Sequence, residues 1–168
     1  AAKIVFPGTP GARNWFPAAY DPASGLFFGS VLDMGNLMFQ TPGQKPFKAK
    51  GLNNDAALIF TPDLVAALPT LPPPVAAGVK ALPAYQDVLK DPGRAEMRAI
   101  DPLTGKTVWA QPMEGWQDRG GVLSTASGLL VHGTVGGQLV VRAAKTGKIL
   151  KSIDTGTTIL AAPMTYKV

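Results

Sequence analysis

Short apolar stretches closed by polar turns ending in Ser-Gly or Thr-Gly recur along this chain. Three segments share the pattern: YDPASGLFF (residues 20–28), IDPLTGKTVW (residues 100–109) and RAAKTGKILK (residues 142–151). In each, apolar positions lead into a turn and apolar positions lead out again. This is the grammar of a tight β-hairpin, where Asp or Asn closes the turn and Gly supplies the positive φ of the reversal. The pattern predicts strands over Gly121–Ala126, Leu129–Thr134, Gln138–Ala143 and Lys148–Ile153. Their separators are Ser127-Gly128, Val135-Gly136-Gly137 and Lys145-Thr146-Gly147.

Gly105 and Gly147 lie 42 positions apart, inside the roughly 40–50-residue period of a four-stranded propeller blade. Residues 120–154 therefore read as one blade. Residues 14–31 and 96–110 read as another, with strands Asn14–Tyr20, Leu26–Val31, Glu96–Ile100 and Lys106–Ala110. Residues 32–95 form an insertion between its hairpins, holding Pro62, Pro69, Pro72, Pro73, Pro74, Pro83 and Pro92. Two helical pieces are expected there, Pro62–Leu68 capped by Thr61 and Pro83–Lys90, in an excursion otherwise made of loops. Residues 160–168, with Leu160–Tyr166 apolar, read as the first strand of a further blade. A closed propeller takes four to eight blades. The expected fold class is all-β: part of a β-propeller, about two four-stranded antiparallel blades plus one strand, with a proline-rich loop and helical insertion.

Composition narrows this reading. Nineteen Gly and sixteen Pro in 168 residues are about a fifth of the chain, against roughly 12% on average. That excludes a helix bundle or coiled coil. A hydrophobic share of 46% with 16% charged residues excludes a disordered chain. The net charge of +5 is scattered, densest at Lys45, Lys48 and Lys50. It lacks the basic stripe with interleaved aromatics of a nucleic-acid binder. No apolar run approaches the ~18 residues of a membrane span, and no signal peptide is recognisable. The absence of Cys excludes disulfides, thiolate metal sites and thiol nucleophiles. Beginning on Ala1, the chain reads as processed or cut from something longer.

Four motifs in order then resemble quinoprotein alcohol dehydrogenases, which use pyrroloquinoline quinone (PQQ). They are PGTPGARNWFPAAYDPASGL (residues 7–26), MRAIDPLTGKTVW (97–109), GGVLSTA followed by Gly128-Leu129 (120–129), and AAPMTY (161–166). They cover most of the chain outside the insertion. The stretch MRAIDPLTGKTVW resembles the family's tryptophan-docking motif. The resemblance implies an eight-bladed propeller with PQQ on its axis and a bound Ca²⁺ or lanthanide. It implies alcohol oxidation to an aldehyde or ketone in the periplasm, with this chain as the C-terminal part. The implied partners are the remaining blades, a small alcohol and a cytochrome c electron acceptor; nucleic acid is not among them. The metal ligands and the base that takes the alcohol proton are expected upstream. The 168 residues alone are therefore expected neither to retain PQQ nor to oxidise alcohols.

The resemblance makes Asn14 and Trp15 the cofactor-binding candidates. An amide can hydrogen-bond quinone carbonyl and carboxylate oxygens, and an indole offers an apolar wall and one N–H. From the residues alone, Asn14 could equally close a turn and Trp15 fill the core between blades. No catalytic residue and no metal ligand is assigned in this chain. Trp109 is expected to pack blades together, with Asp101, Thr104 and Gly105 forming its motif's turn. The later repeat departs from the motif, with Ala143 where Asp is expected and Lys151 where Trp is expected. Arg119 is a further departure, at a position that often carries Trp in the family. It could meet a PQQ carboxylate through a bidentate pair or stand as a solvated rim charge.

His132 is the only histidine, and a lone His in a strand reads as structural rather than as part of a triad or His-based metal site. The stretch GTVGG (residues 133–137) lacks the GK[ST] of a phosphate loop. Asn53-Asn54-Asp55 could ligate a hard cation, though a turn suits it better. The alternative function is a non-catalytic PQQ-repeat propeller, a periplasmic assembly or binding scaffold. The Asn14-Trp15 context and the insertion speak against it.

Overall fold

The computed structural model describes residues 2–40 and 56–166. In chain order its strands are β1 (Lys3–Val5), β2 (Ala19–Asp21), β3 (Leu26–Asp33), β4 (Asn36–Gln40) and β5 (Ala56–Phe60). Three helices follow, α1 (Leu64–Ala67), α2 (Pro73–Lys80) and α3 (Pro83–Lys90). The remaining strands are β6 (Arg94–Ile100), β7 (Thr107–Pro112), β8 (Val122–Ser124), β9 (Leu129–Gly133), β10 (Gln138–Ala143) and β11 (Ile149–Asp154). They build two compact units, one from residues 1–11 with 34–93, the other from residues 12–33 with 94–168.

The larger unit holds two four-stranded antiparallel sheets, β2-β3-β6-β7 and β8-β9-β10-β11. Their hairpins follow from the turn residues. Asp101 Oδ1 accepts the Leu103 amide at 2.9 Å and Oδ2 accepts the Thr104 hydroxyl at 2.8 Å. Gly105 then reverses the chain at φ +70. Asp21, Ser24 and Gly25 repeat this arrangement, with the Ser24 hydroxyl 2.7 Å from Asp21 Oδ2 and Gly25 also at φ +70. Ala143 offers no carboxylate, yet the turn forms on backbone bonds and Gly147 at φ +71. Even the irregularities repeat: the register shifts between Ala99 and Ile100 in one sheet and between Val141 and Arg142 in the other.

The two sheets meet over a core of Phe28, Met97, Ala99, Val122, Leu130 and Ala144, flanked by Trp109 and Met113. Trp109 donates its indole N–H to the Ala144 carbonyl at 2.9 Å. A Cβ on Gly147 would stand 2.7 Å from the Trp109 ring, so glycine is required there by shape as well as by φ. Trp109 packs one sheet onto the next, the role its motif implies.

The strand expected over Asn14–Tyr20 is reduced to Ala19–Asp21. Pro17 has no N–H to give a ladder, and its carbonyl instead accepts the Val122 amide at 3.1 Å. Leu160–Tyr166, expected as a strand, has no strand pairing among the described residues. A strand exists only through a partner, and here the segment is tied by single bonds. The Leu160 carbonyl accepts the Gly121 amide at 3.2 Å, and the Ile159 amide donates to the Thr134 carbonyl at 3.0 Å.

The smaller unit is more than the loops and helical turns expected between the hairpins. Strands β1, β4 and β5 form a three-stranded antiparallel sheet. Leu37, Phe39, Leu64, Leu68, Val79, Tyr85 and Val88 bury their side chains as its core. Local patterning misses this sheet because β1 pairs with a strand more than thirty positions away. Helix α3 has the expected bounds, with Pro83 in the first turn. Helix α2 opens on Pro73, so the Pro72-Pro73-Pro74 run starts a helix that a reading of prolines as breakers passes over. Thr61 does not cap a helix with its side chain. It is buried and its hydroxyl accepts the Gly35 amide at 2.9 Å. Lys45, Lys48, Lys50 and Asn53-Asn54-Asp55 lie outside the described residues.

Candidate functional site

The loop before β2 is held by its arginine. Arg13 donates through Nη1 to the Ser30 carbonyl at 3.0 Å and through Nη2 to the Phe16 carbonyl at 2.5 Å. Its guanidinium lies 5.7 Å from the Phe27 ring centre. A Cβ on Gly29 would collide with that guanidinium, which explains a glycine inside an otherwise apolar strand. Desolvation in this setting lowers the Arg13 pKa from its ordinary value.

With its base fixed, the loop presents Asn14 and Trp15. Asn14 Oδ1 accepts the Trp15 amide at 2.8 Å, a bond between adjacent residues. It leaves the Nδ2 donors free. Trp15 is 76% exposed, which is not the position of a residue filling the core between sheets. Its ring stacks on buried Phe16, centroids 4.2 Å apart at 22°.

Arg119 reaches the same Phe16 ring, its guanidinium carbon 5.6 Å from the ring centre. Both sides of Arg119 in the chain are pinned. Asp118 is buried, with Oδ1 accepting the Val135 amide at 2.7 Å and Oδ2 the Gly115 amide at 3.1 Å. A Cβ on Gly120 would come within 3.2 Å of the Gly133 carbonyl oxygen, and one on Gly121 within 2.6 Å of Ala162. Among the described residues, neither Asn14 Nδ2, Trp15 Nε1 nor the Arg119 guanidinium has a hydrogen-bond partner. Asn14 and Trp15 therefore offer N–H donors and an exposed aromatic face, with the amide oxygen already used, and Arg119 adds a cation against the same Phe16 ring. The chemical complement of these groups is a flat, acceptor-rich, anionic molecule. Phe16 has no binding role legible from the sequence, and Arg119 stands there between a carboxylate partner and a solvated rim charge. Only the unusual Arg119 signalled anything in the sequence.

Deeper in the second sheet His132 is 1% exposed. Its Nε2 accepts from Arg142 Nε at 3.0 Å and its Nδ1 lies 3.2 Å from the Gly133 carbonyl. Those partners fix a neutral ring with the proton on Nδ1. Desolvation lowers its pKa to about 4. Arg142 donates its Nη1 to the Gly147 carbonyl at 2.9 Å, so both side chains serve the fold. The 133–137 stretch is a hairpin turn, with Gly137 at φ +85 and the Thr134 hydroxyl accepting the Gln138 amide at 3.1 Å. Among the described residues no three His, Asp or Glu side chains gather to hold a metal. No described helix is long and apolar enough to cross a membrane.

Two four-stranded sheets, docked by a tryptophan on the next sheet's Thr-Gly turn, define a segment of a β-propeller. The family model for the PQQ glucose/ethanol/alcohol dehydrogenase β-propeller domain matches residues 1–168, and the chain belongs to that family. It is 38% identical over 99% of its length to quinoprotein ethanol dehydrogenase from Pseudomonas aeruginosa, covering 22% of that protein. It is 29% identical over 99% of its length to lanthanide-dependent methanol dehydrogenase from Methylorubrum extorquens, covering 23% of it. The crystal structure of quinohemoprotein alcohol dehydrogenase from Comamonas testosteroni superposes with a TM-score of 0.70 at 26% identity, over all of this chain and 22% of that one. The chain thus spans about a fifth of the length of the curated relatives it matches.

Proposed function

We propose that this chain is the C-terminal part of a PQQ-dependent alcohol dehydrogenase, which oxidises an alcohol to an aldehyde or ketone. Its contribution is two blades and part of the cofactor pocket. The observation that carries the reading is the exposed Asn14–Trp15 pair, rooted by Arg13 and left with unused donors. This donor set fits PQQ, whose rim is carbonyl and carboxylate oxygen and whose rings are flat. Asn14 would donate from Nδ2 to a rim oxygen, and Trp15 would supply an apolar wall that excludes water. PQQ, when bound, supplies the acceptor for the alcohol's hydride.

By the family resemblance, the ligands of a Ca²⁺ or lanthanide belong to other parts of the protein. Those other parts also supply the remaining blades and the base that takes the alcohol proton. The family setting points to the periplasm and to a cytochrome c as electron acceptor. Reconstitution tests the reading. The full-length protein carrying this chain is mixed with PQQ and Ca²⁺ or a lanthanide, and its absorbance and alcohol-dependent dye reduction are followed. A bound-quinone spectrum with turnover is expected. Absence of quinone binding would leave the scaffold alternative and end the dehydrogenase reading.

A further inference from the structure

We infer that Arg119 is a carboxylate-binding residue that completes the donor set of Asn14 and Trp15. The inference rests on the PQQ-site reading above and deepens it. The first ground is that Arg119 is half-buried, with its guanidinium carbon 5.6 Å from the centre of the Phe16 ring on which Trp15 stacks, and has no acceptor among the described residues. A guanidinium held over a ring with its N–H donors unused can take an anionic partner. Its planar fork matches a carboxylate in bidentate geometry.

The second ground is preorganisation. Asp118 is tied to two backbone amides and Gly120-Gly121 are wedged against Gly133 and Ala162. The backbone of Arg119 is held from both sides, so little ordering remains to be done on binding. A solvated rim charge needs neither the aromatic seat nor the fixed root. Asp118, its neighbour in sequence, does not compete for the group, because it spends both carboxylate oxygens on backbone amides.

The carboxylate could come from the quinone or from an alcohol substrate that bears one. The test uses the full-length protein, its Arg119→Gln variant and its Arg119→Lys variant. PQQ affinity is measured by equilibrium titration in low and high salt. KM is measured for a neutral primary alcohol and for an ω-hydroxy carboxylate of equal chain length. If the quinone supplies the group, Arg119→Gln weakens PQQ binding at least about tenfold and flattens its salt dependence. If the substrate supplies it, PQQ affinity holds and KM rises about tenfold for the hydroxy acid alone. Arg119→Lys keeps the charge but not the fork and falls between. Unchanged values in both arms for Arg119→Gln overturn the inference while leaving the PQQ reading intact. Failure of the parent protein to bind PQQ overturns both. Should Arg119→Gln not fold, the Arg119→Lys comparison decides alone.

Discussion

The indole N–H of Trp109 donates to the carbonyl of Ala144, 2.9 Å away in the turn between β10 and β11 of the neighbouring sheet. One side chain thus spans two repeats and sets their packing. Replacing Trp109 with Phe keeps most of the contact and leaves the carbonyl unpaired, at a cost of about 1 kcal/mol. Trp109→Ala removes the wedge itself and should cost about 3 kcal/mol, at the low end for a large core aromatic because the ring is only partly buried. Chemical denaturation of the two variants measures the difference.

Gly147 tests the same contact from the other side. Gly147 and Gly25 share nearly the same φ, +71 and +70, but a Cβ at Gly25 meets nothing within 4 Å. Gly25→Ala should cost only the left-handed backbone penalty, about 1–2 kcal/mol. Gly147→Ala adds overpacking against Trp109, roughly 1–3 kcal/mol more. Equal losses for the two variants would show that the Trp109 ring yields without cost.

His132 gives the protein an acid-sensitive core. Its folded pKa of about 4 lies below the ordinary 6.5, so the unfolded chain binds more protons between those values. Stability is therefore fully present above about pH 6.5 and is lost as pH falls towards 4. The loss by pH 4 amounts to roughly 3 kcal/mol. Below that range the charged ring would face the Arg142 guanidinium. His132→Gln should lower stability at neutral pH and flatten the profile between 4 and 6.5. Urea midpoints measured across that range check it.

Asp118 anchors the Arg119 backbone through two amides. Asp118→Asn can satisfy only one of them, and should cost about 1–3 kcal/mol. Hydrogen exchange at Val135 and Gly115 should speed up, most at whichever amide loses its acceptor.

The hairpins were legible because their signal is local. Asp101, Thr104 and Gly105 announce a turn within five residues, and Gly147 repeats it one blade later. The docking of Trp109 was legible for the same reason, through a motif. Strand β1 was not, since Lys3–Val5 acquires meaning only by pairing with Asn36–Met38. Helix α2 hid behind its own prolines. At the site, Asn14 and Trp15 stood out through the family motif. The part played by Phe16, as the ring shared by Trp15 and Arg119, depends on a contact spanning about a hundred positions. No spacing rule encodes that.

On the proposed function, Asn14 and Trp15 face the quinone. A crystal structure of the full-length protein with PQQ bound measures it directly. The expected result is the Trp15 indole in van der Waals contact with the quinone, about 3.5–4 Å away, and Asn14 Nδ2 within about 3.2 Å of a quinone oxygen. A bound quinone with Trp15 still turned to solvent and Asn14 beyond hydrogen-bond reach would contradict it.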